Sequence, residues 1–310
     1  MPRRKIGCIA DAHYADSDSP PLYRAQAIEK TTQAINGFLA EGVDAIVVLG
    51  DTIENPESAF DAPLRCQQMA DLINGDGSVP HNRPVVWVIG NHDCDHASPP
   101  ARFKTDFAAC TGATITTNGT DHSGDTVRGF VDVADDLRIV YLDCCFNGSD
   151  VSLPVQLSYG TVSAAQLTWL EATLSDADAV GRWSIVCVHL PLKHGGDICG
   201  NAAAIRAILA QHRVLATLHG HKHWESLDTL DSNAAGEPIY EFVIPDLRNG
   251  NVYDIQSASP CSIVEVDTDV GQVAGYGGYF FPASYAAETI PGHSWDNPTF
   301  GWLTVVPAGA

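Results

Sequence analysis

Pro84-Val-Val-Trp-Val-Ile89 runs directly into Gly90-Asn91-His92-Asp93. Six apolar residues rich in β-branched side chains read as a buried strand, and Gly-Asn at its end reads as a turn. The same arrangement recurs along the chain. Residues 6–10 lead into Asp11-Ala12-His13, and residues 45–49 (AIVVL) into Gly50-Asp51. Residues 183–188 (WSIVCV) lead into His189, and residues 214–218 through His219 into Gly220-His221-Lys222-His223. Ligands of open α/β sheets gather at the carboxyl ends of strands, so five such ends can share one crevice.

Helical periodicity fills the gaps between these strands. Residues 23–41 place Ala25, Ile28, Ile35 and Leu39 near one face, and residues 64–74 form a second helix ended by Asn74-Gly75. A capping box, Ser163-Ala-Ala-Gln166, predicts a helix over 164–178, and residues 202–212 predict another. Residues 138–142 (RIVYL) are a further strand. Residues 225–230, 238–243, 261–267 and 272–276 read as a meander. Two packed sheets flanked by helices satisfy this order. One domain over 1–278 is expected. The aromatic stretch 279–310 is then an extension that packs on its own domain or on a neighbouring subunit, as in a homodimer.

Composition narrows the function. The chain has 310 residues, 45% apolar and 18% charged, which excludes global disorder. Seventeen basic against 38 acidic residues leave a net charge of −21. Such a surface repels phosphate backbones, so nucleic acid and anionic membranes are excluded as partners and a small molecule is expected. The nine cysteines contain no C-x-x-C, so free thiols in a reducing compartment are expected. The first apolar run is too short for a secretory segment and no stretch suits a membrane span; a cytoplasmic location follows.

The strand ends offer seven donors: the carboxylates of Asp11 and Asp51, the amide oxygen of Asn91, and the imidazoles of His13, His189, His221 and His223. Oxygen and nitrogen without thiolate suit Fe, Mn, Zn or Co. Seven donors exceed one ion and suit two, with one carboxylate bridging cations about 3.5–4 Å apart.

The combination D-x-H, G-D, G-N-H-D, strand-end His and G-H-x-H over residues 5–267 resembles the calcineurin-like metallophosphoesterases. The resemblance implies an α/β (α+β) fold: a four-layer αββα sandwich of two mixed sheets flanked by helices. It implies two divalent or trivalent metal ions (Mn, Fe or Zn). Asp11, His13, Asp51 and His223 would hold one, and Asp51, Asn91, His189 and His221 the other, with Asp51 shared. His92 would face the leaving oxygen as general acid, oriented by Asp93, while a metal-bridging hydroxide attacks phosphorus. Asn91 and His92 would also touch the substrate.

Within that family, Asp11-Ala-His-Tyr14-Ala-Asp16, Tyr23-Arg24, His189-Leu-Pro191 and Ser163–Leu170 resemble the branch containing manganese-dependent ADP-ribose/CDP-alcohol diphosphatases. Cleavage of phosphodiester or pyrophosphate bonds in small molecules follows from this. A phosphomonoesterase on the same centre is the alternative, and a non-catalytic binding scaffold a further one. Glu54 stands where many phosphodiesterase relatives carry Asp. Tyr14 and His194 are candidate substrate contacts, with helix-surface packing the competing role for Tyr14. His219 reads as packed, and His81 and His212 as surface residues.

Overall fold

Strands buried on both faces organise the molecule. In Leu137–Leu142, Ile139 and Tyr141 enter one hydrophobic core, while Val140 and Leu142 enter another. Trp183–Val188 divides likewise: Ile185 and Cys187 go to the first core, Val186 and Val188 to the second. Successive side chains point to opposite faces, so such strands need a packed layer on each side.

A computed structural model describes residues 3–15, 18–19, 22–54, 61–94, 103–117, 124–150, 159–193, 199–224, 226–247, 260–280 and 301–303. Arg3–Ile9 (β1), Ala45–Val48 (β4) and Val85–Trp87 (β5) are parallel neighbours in a six-stranded sheet. Pro260–Asp267 (β14), Gln272–Phe280 (β15) and Gly301–Leu303 (β16) extend it antiparallel beyond β1. In the second six-stranded sheet, Leu137–Leu142 (β9), Trp183–Val188 (β10), Val214–His219 (β11) and Pro238–Val243 (β13) run parallel. Gly129–Val133 (β8) and Ser226–Ser232 (β12) close its edges antiparallel. Asp18–Ser19 (β2) with Leu22–Tyr23 (β3), and Ile115–Thr116 (β6) with Thr126–Val127 (β7), form two short ribbons.

The helices cover the outer faces. Ala27–Glu41 (α1) contributes Ala34, Ile35 and Phe38 to the first core, and Asp61–Ile73 (α2) contributes Met69, Ala70 and Ile73. Phe103–Thr111 (α3) adds Phe103 and Phe107. Ala164–Ala179 (α4) and Ala202–Leu209 (α5) bury Leu170, Leu174, Ile205 and Leu209 in the second core. The result is helix, sheet, sheet, helix, as the αββα expectation has it. No described helix is long and apolar enough to cross a membrane.

Three local expectations need correction. The meander is two hairpins in different sheets, because β13 pairs with β11 while β14 pairs with β1. Ser163 makes no side-chain cap; Gln166 instead accepts Asp143 N–H at 3.0 Å and donates to Asp143 C=O at 2.8 Å, tying α4 to the end of β9. The helix from 202 stops at Leu209, where the chain turns so that His212 Nδ1 and Arg213 N–H both meet Asp178, at 2.8 and 3.1 Å. His212 is therefore buried against α4 and is not a surface residue. Of the extension 279–310, residues 281–300 and 304–310 lie outside the described residues.

A buried ion pair sits at the end of β9. Lys104 of α3 lies 2.7 Å from Asp143 Oδ2, and both side chains are fully buried. Asp143 also accepts the N–H groups of Val127 and Cys145, at 3.2 and 2.8 Å. Lys104 Nζ stands 3.6 Å above the Phe146 ring, a cation–π contact.

Candidate metal centre

The parallel ladder outlives the strands it belongs to. Past β1 and β4, Asp11 N–H still bonds Gly50 C=O (3.1 Å), His13 N–H bonds Asp51 C=O (2.9 Å), and Tyr14 N–H bonds Thr52 C=O (3.0 Å). This pairing holds the D-x-H and G-D segments in register. In the second sheet Gly220 N–H bonds His189 C=O at 3.1 Å, linking the other two ligand loops. Glu241 of β13 accepts the N–H groups of Leu192 and Lys193, at 2.7 and 2.9 Å, and fixes the chain beyond His189.

Small residues let these loops meet. A Cβ on Gly220 would lie 2.6 Å from Asp11 Oδ2, and one on Gly90 would collide with the Asp51 carboxylate. The backbone is unusual where the donors sit. Asp11, His13, Asp51, His221 and His223 all have positive φ, between 47° and 70°. Only two other described non-glycine residues share that conformation, Ala134 and Asp150. Such strain concentrates at functional sites.

The seven donors converge. Asp11, His13, Asp51 and His223 present ligand atoms within 4.8 Å of one another, and so do Asp51, His189 and His221. Asp51 belongs to both groups. Asn91 Oδ1 lies 3.0 Å from His189 Nε2 and 3.0 Å from His221 Nδ1, which places it in the second group. His223 Nε2 is 3.4 Å from Asp11 Oδ1, and His13 Nε2 is 3.7 Å from Asp51 Oδ2.

The polar atoms here fit cations. Among the described residues, His13 Nε2 and Asp51 Oδ2 are buried and find no hydrogen-bond partner. His189 Nε2 lies 3.2 Å from Asp51 Oδ2, yet its hydrogen bond goes to Asn91. Buried polar atoms without partners are costly, so this arrangement suits a group that supplies positive charge. His189 Nδ1 bonds Leu49 C=O at 2.7 Å, so Nε2 is the end that would coordinate a metal.

Charges within the cluster interact strongly. Burial opposes ionisation of Asp51, but the charge of His189, whose Nε2 stands 3.2 Å away, with His92 and His13, holds it well below the usual carboxylate range. Burial opposes charge on His189 too, yet Asp51 and then Asp11 lift it to about 10. Burial and the His189 charge press His221 down to about 4, against the pull of Asp51 and Asp11. Burial and the Asp51 charge lift Asp93 to about 7, against the backbone N–H groups of Gly90 and Ile53.

Beside the donors stands a pair the sequence reading only half anticipated. His92 Nδ1 contacts Glu54 Oε1 at 2.9 Å, and His13 Nδ1 lies 3.0 Å from Glu54 Oε2. One carboxylate therefore orients a candidate ligand and the candidate acid together. Burial disfavours a charged His92, but the bond to Glu54 and the charges of Asp51 and Glu54 raise its pKa. The expected orienting role of Asp93 is corrected. Its carboxylate accepts the N–H groups of Thr52, Ile53 and Gly90, at 2.9, 3.2 and 2.9 Å, and so clamps two ligand loops together. The signal for Glu54 is its place three residues after Asp51.

The remaining candidates separate. Tyr14 packs partly against the first core, and its backbone joins the ladder to Thr52 and Glu54. His194, with His96, His122 and His293, lies outside the described residues. His219 is buried, with Nδ1 2.8 Å from Val188 C=O and Nε2 2.8 Å from Thr217 Oγ1, and serves packing.

Solved structures share this architecture. A dimetal phosphatase from Danio rerio superposes with a TM-score of 0.65 at 17% identity, covering 89% of this chain and 95% of that one. A purple acid phosphatase from yellow lupin (Lupinus luteus) seeds gives 0.55 at 11% identity, covering 92% of this chain and 52% of that one. The Haemophilus influenzae NAD nucleotidase gives 0.51 at 12% identity, covering 90% and 49%. No curated protein matches the chain significantly by sequence. The sequence profile of the calcineurin-like phosphoesterases does match, over residues 4–225. The chain thus belongs to the calcineurin-like phosphoesterase family, phosphoric ester hydrolases that work with a dinuclear divalent metal centre.

Proposed function

We propose that the chain hydrolyses phosphodiester or pyrophosphate bonds of small, nucleotide-type or CDP-alcohol-type molecules. The observation that carries this reading is the pair of ligand groups sharing Asp51, with His92 held beside them by Glu54. Asp11, His13, Asp51 and His223 would hold one ion, and Asp51, Asn91, His189 and His221 the other. When bound, the two ions would activate water as a nucleophile near neutral pH and offset charge on the phosphoryl oxygens.

The chain's own residues do the rest. Asp51 fixes the separation of the two sites. Asn91 orients through its amide, and the Asp93 clamp keeps the loops of Asp51 and Asn91 together. His92 donates a proton to the leaving oxygen, a role worth typically 10²–10⁴-fold in rate. Glu54 keeps the proton-bearing ring aimed and favours its protonated form.

The net charge of −21 favours a small substrate over a polynucleotide. Trp224, next to His223, is 52% exposed and offers a stacking face for a base. The finer assignment to the ADP-ribose/CDP-alcohol diphosphatase branch rests on the D-A-H-Y-A-D and H-L-P segments. A phosphomonoesterase is the second reading, favoured by the phosphatase names of two structural relatives.

The test is turnover with added manganese on bis-aryl and mono-aryl phosphates, ADP-ribose, CDP-choline and cyclic nucleotides. Cleavage of diesters or pyrophosphates above monoesters is expected. Exclusive monoester cleavage overturns the first reading and leaves the second.

A further inference from the structure

Cys110 is the one cysteine of nine that the fold does not bury. It lies in the last turn of α3, and its Sγ donates to Pro63 C=O of α2 at 3.6 Å. Facing the same cleft from α2 is Cys66, which is buried. Both line one small cleft between the helices, together with Pro63, Phe107, Ile53 and Asp93.

The pair is chemically unequal. The neighbouring Cys66 thiol lowers the pKa of the Cys110 thiol, against burial and the carboxylates of Asp106 and Asp71. No other cysteine has a lowered pKa. Burial lifts Cys94 to about 11 and Cys199 to about 12, and Cys8, Cys187 and Cys261 also rise. Cys94, Cys144 and Cys145 are all buried, and the pKa of each is raised. Reactivity follows thiolate character and access, and these coincide at Cys110 alone.

We propose that Cys66 and Cys110 are an oxidisable dithiol that a hydroperoxide converts to a disulfide, joining α2 to α3. The Cys110 thiolate attacks the peroxide, the O–O bond breaks, and hydroxide leaves and takes up a proton as water. Cys110 is then a sulfenic acid. The Cys66 sulfur attacks the Cys110 sulfur, the S–S bond forms, the S–O bond breaks, and the Cys66 proton departs with a second water. Two electrons pass from the two sulfurs to the peroxide. Ile53 and Asp93 belong to the ligand-bearing loops, so the link forms directly behind the metal centre. It does not depend on the substrate reading.

The experiment treats the full chain with hydrogen peroxide, blocks free thiols by alkylation, and maps the peptides by mass spectrometry. Free thiols should fall from nine to seven, with Cys66 and Cys110 in the linked peptides, and dithiothreitol should restore nine. In Cys66→Ala the sulfenic acid at Cys110 should persist and be trapped by dimedone. In Cys110→Ser neither the link nor the trapped adduct should form. A first link between any other pair overturns the proposal. So does over-oxidation of Cys110 while Cys66 stays reduced, or no thiol loss at peroxide levels that oxidise free cysteine.

Discussion

Asp51 and Asp143 occupy matching places in the two sheets, each just beyond the carboxyl end of a parallel buried strand, β4 or β9. Both side chains are fully or almost fully buried. Their partners differ. Asp143 has Lys104 at 2.7 Å and two backbone N–H groups, so the chain itself neutralises it. Asp51 accepts His92 N–H at 2.7 Å through Oδ1, while Oδ2 finds no hydrogen bond among the described residues and faces His189 Nε2 at 3.2 Å. A buried carboxylate at a strand end is thus structural when a lysine pairs with it, and open to a metal when its charged neighbours are imidazoles, such as His189 at 3.2 Å, that can give up a proton for an ion.

The sharpest way to break this contrast is Asp51→Ala. Both ions should be lost from the purified protein by elemental analysis. Turnover should fall by more than about 10²-fold, the upper range for residues that merely support a ligand. Retention of two ions at full activity would refute the shared-ligand assignment. Next comes His92→Ala, expected to slow poor leaving groups by roughly 10²–10⁴-fold while activated aryl esters and metal content change little. Equal losses on both substrates would remove the acid role.

On the structural side, Lys104→Met leaves Asp143 without its cation and should cost about 3–5 kcal/mol in urea unfolding. The folded fraction should keep its metal content. A loss of metal at unchanged stability would show that Asp143 serves the centre after all. The smallest expected change is Glu54→Gln, which keeps the shape but removes the charge shared by His13 and His92. A loss of about 10–100-fold in kcat or metal affinity is expected, and wild-type values for both would empty Glu54 of a positioning role.

Much of this was legible in the chain. Apolar strands followed by Asp, Asn, Gly and His carry their own position, because strand direction alone brings their ends together. The seven donors and the two-sheet layering could be read that way. Glu54 was harder: its role depends on which rings lie on either side of its carboxylate, and those rings come from residues 13 and 92. Asp143 was not singled out, since its partner Lys104 arrives from a helix far off in sequence. Adjacency to His92 suggests a side-chain contact for Asp93, whereas the short 3₁₀ turn His92–Cys94 aims its carboxylate at backbone N–H groups. Strands β12 to β15 were legible as strands, but nothing local says which sheet each hairpin joins.

The left-handed backbone at Asp11, His13, Asp51, His221 and His223 has an outcome beyond chemistry. At about 1 kcal/mol apiece, five such residues forfeit a sum comparable with the whole margin by which an ordinary domain stays folded. Occupancy by ions then acts on survival of the polypeptide as well as on its rate. Starving the protein of metal should shorten its lifetime against proteases, and the first bonds cut should flank those loops.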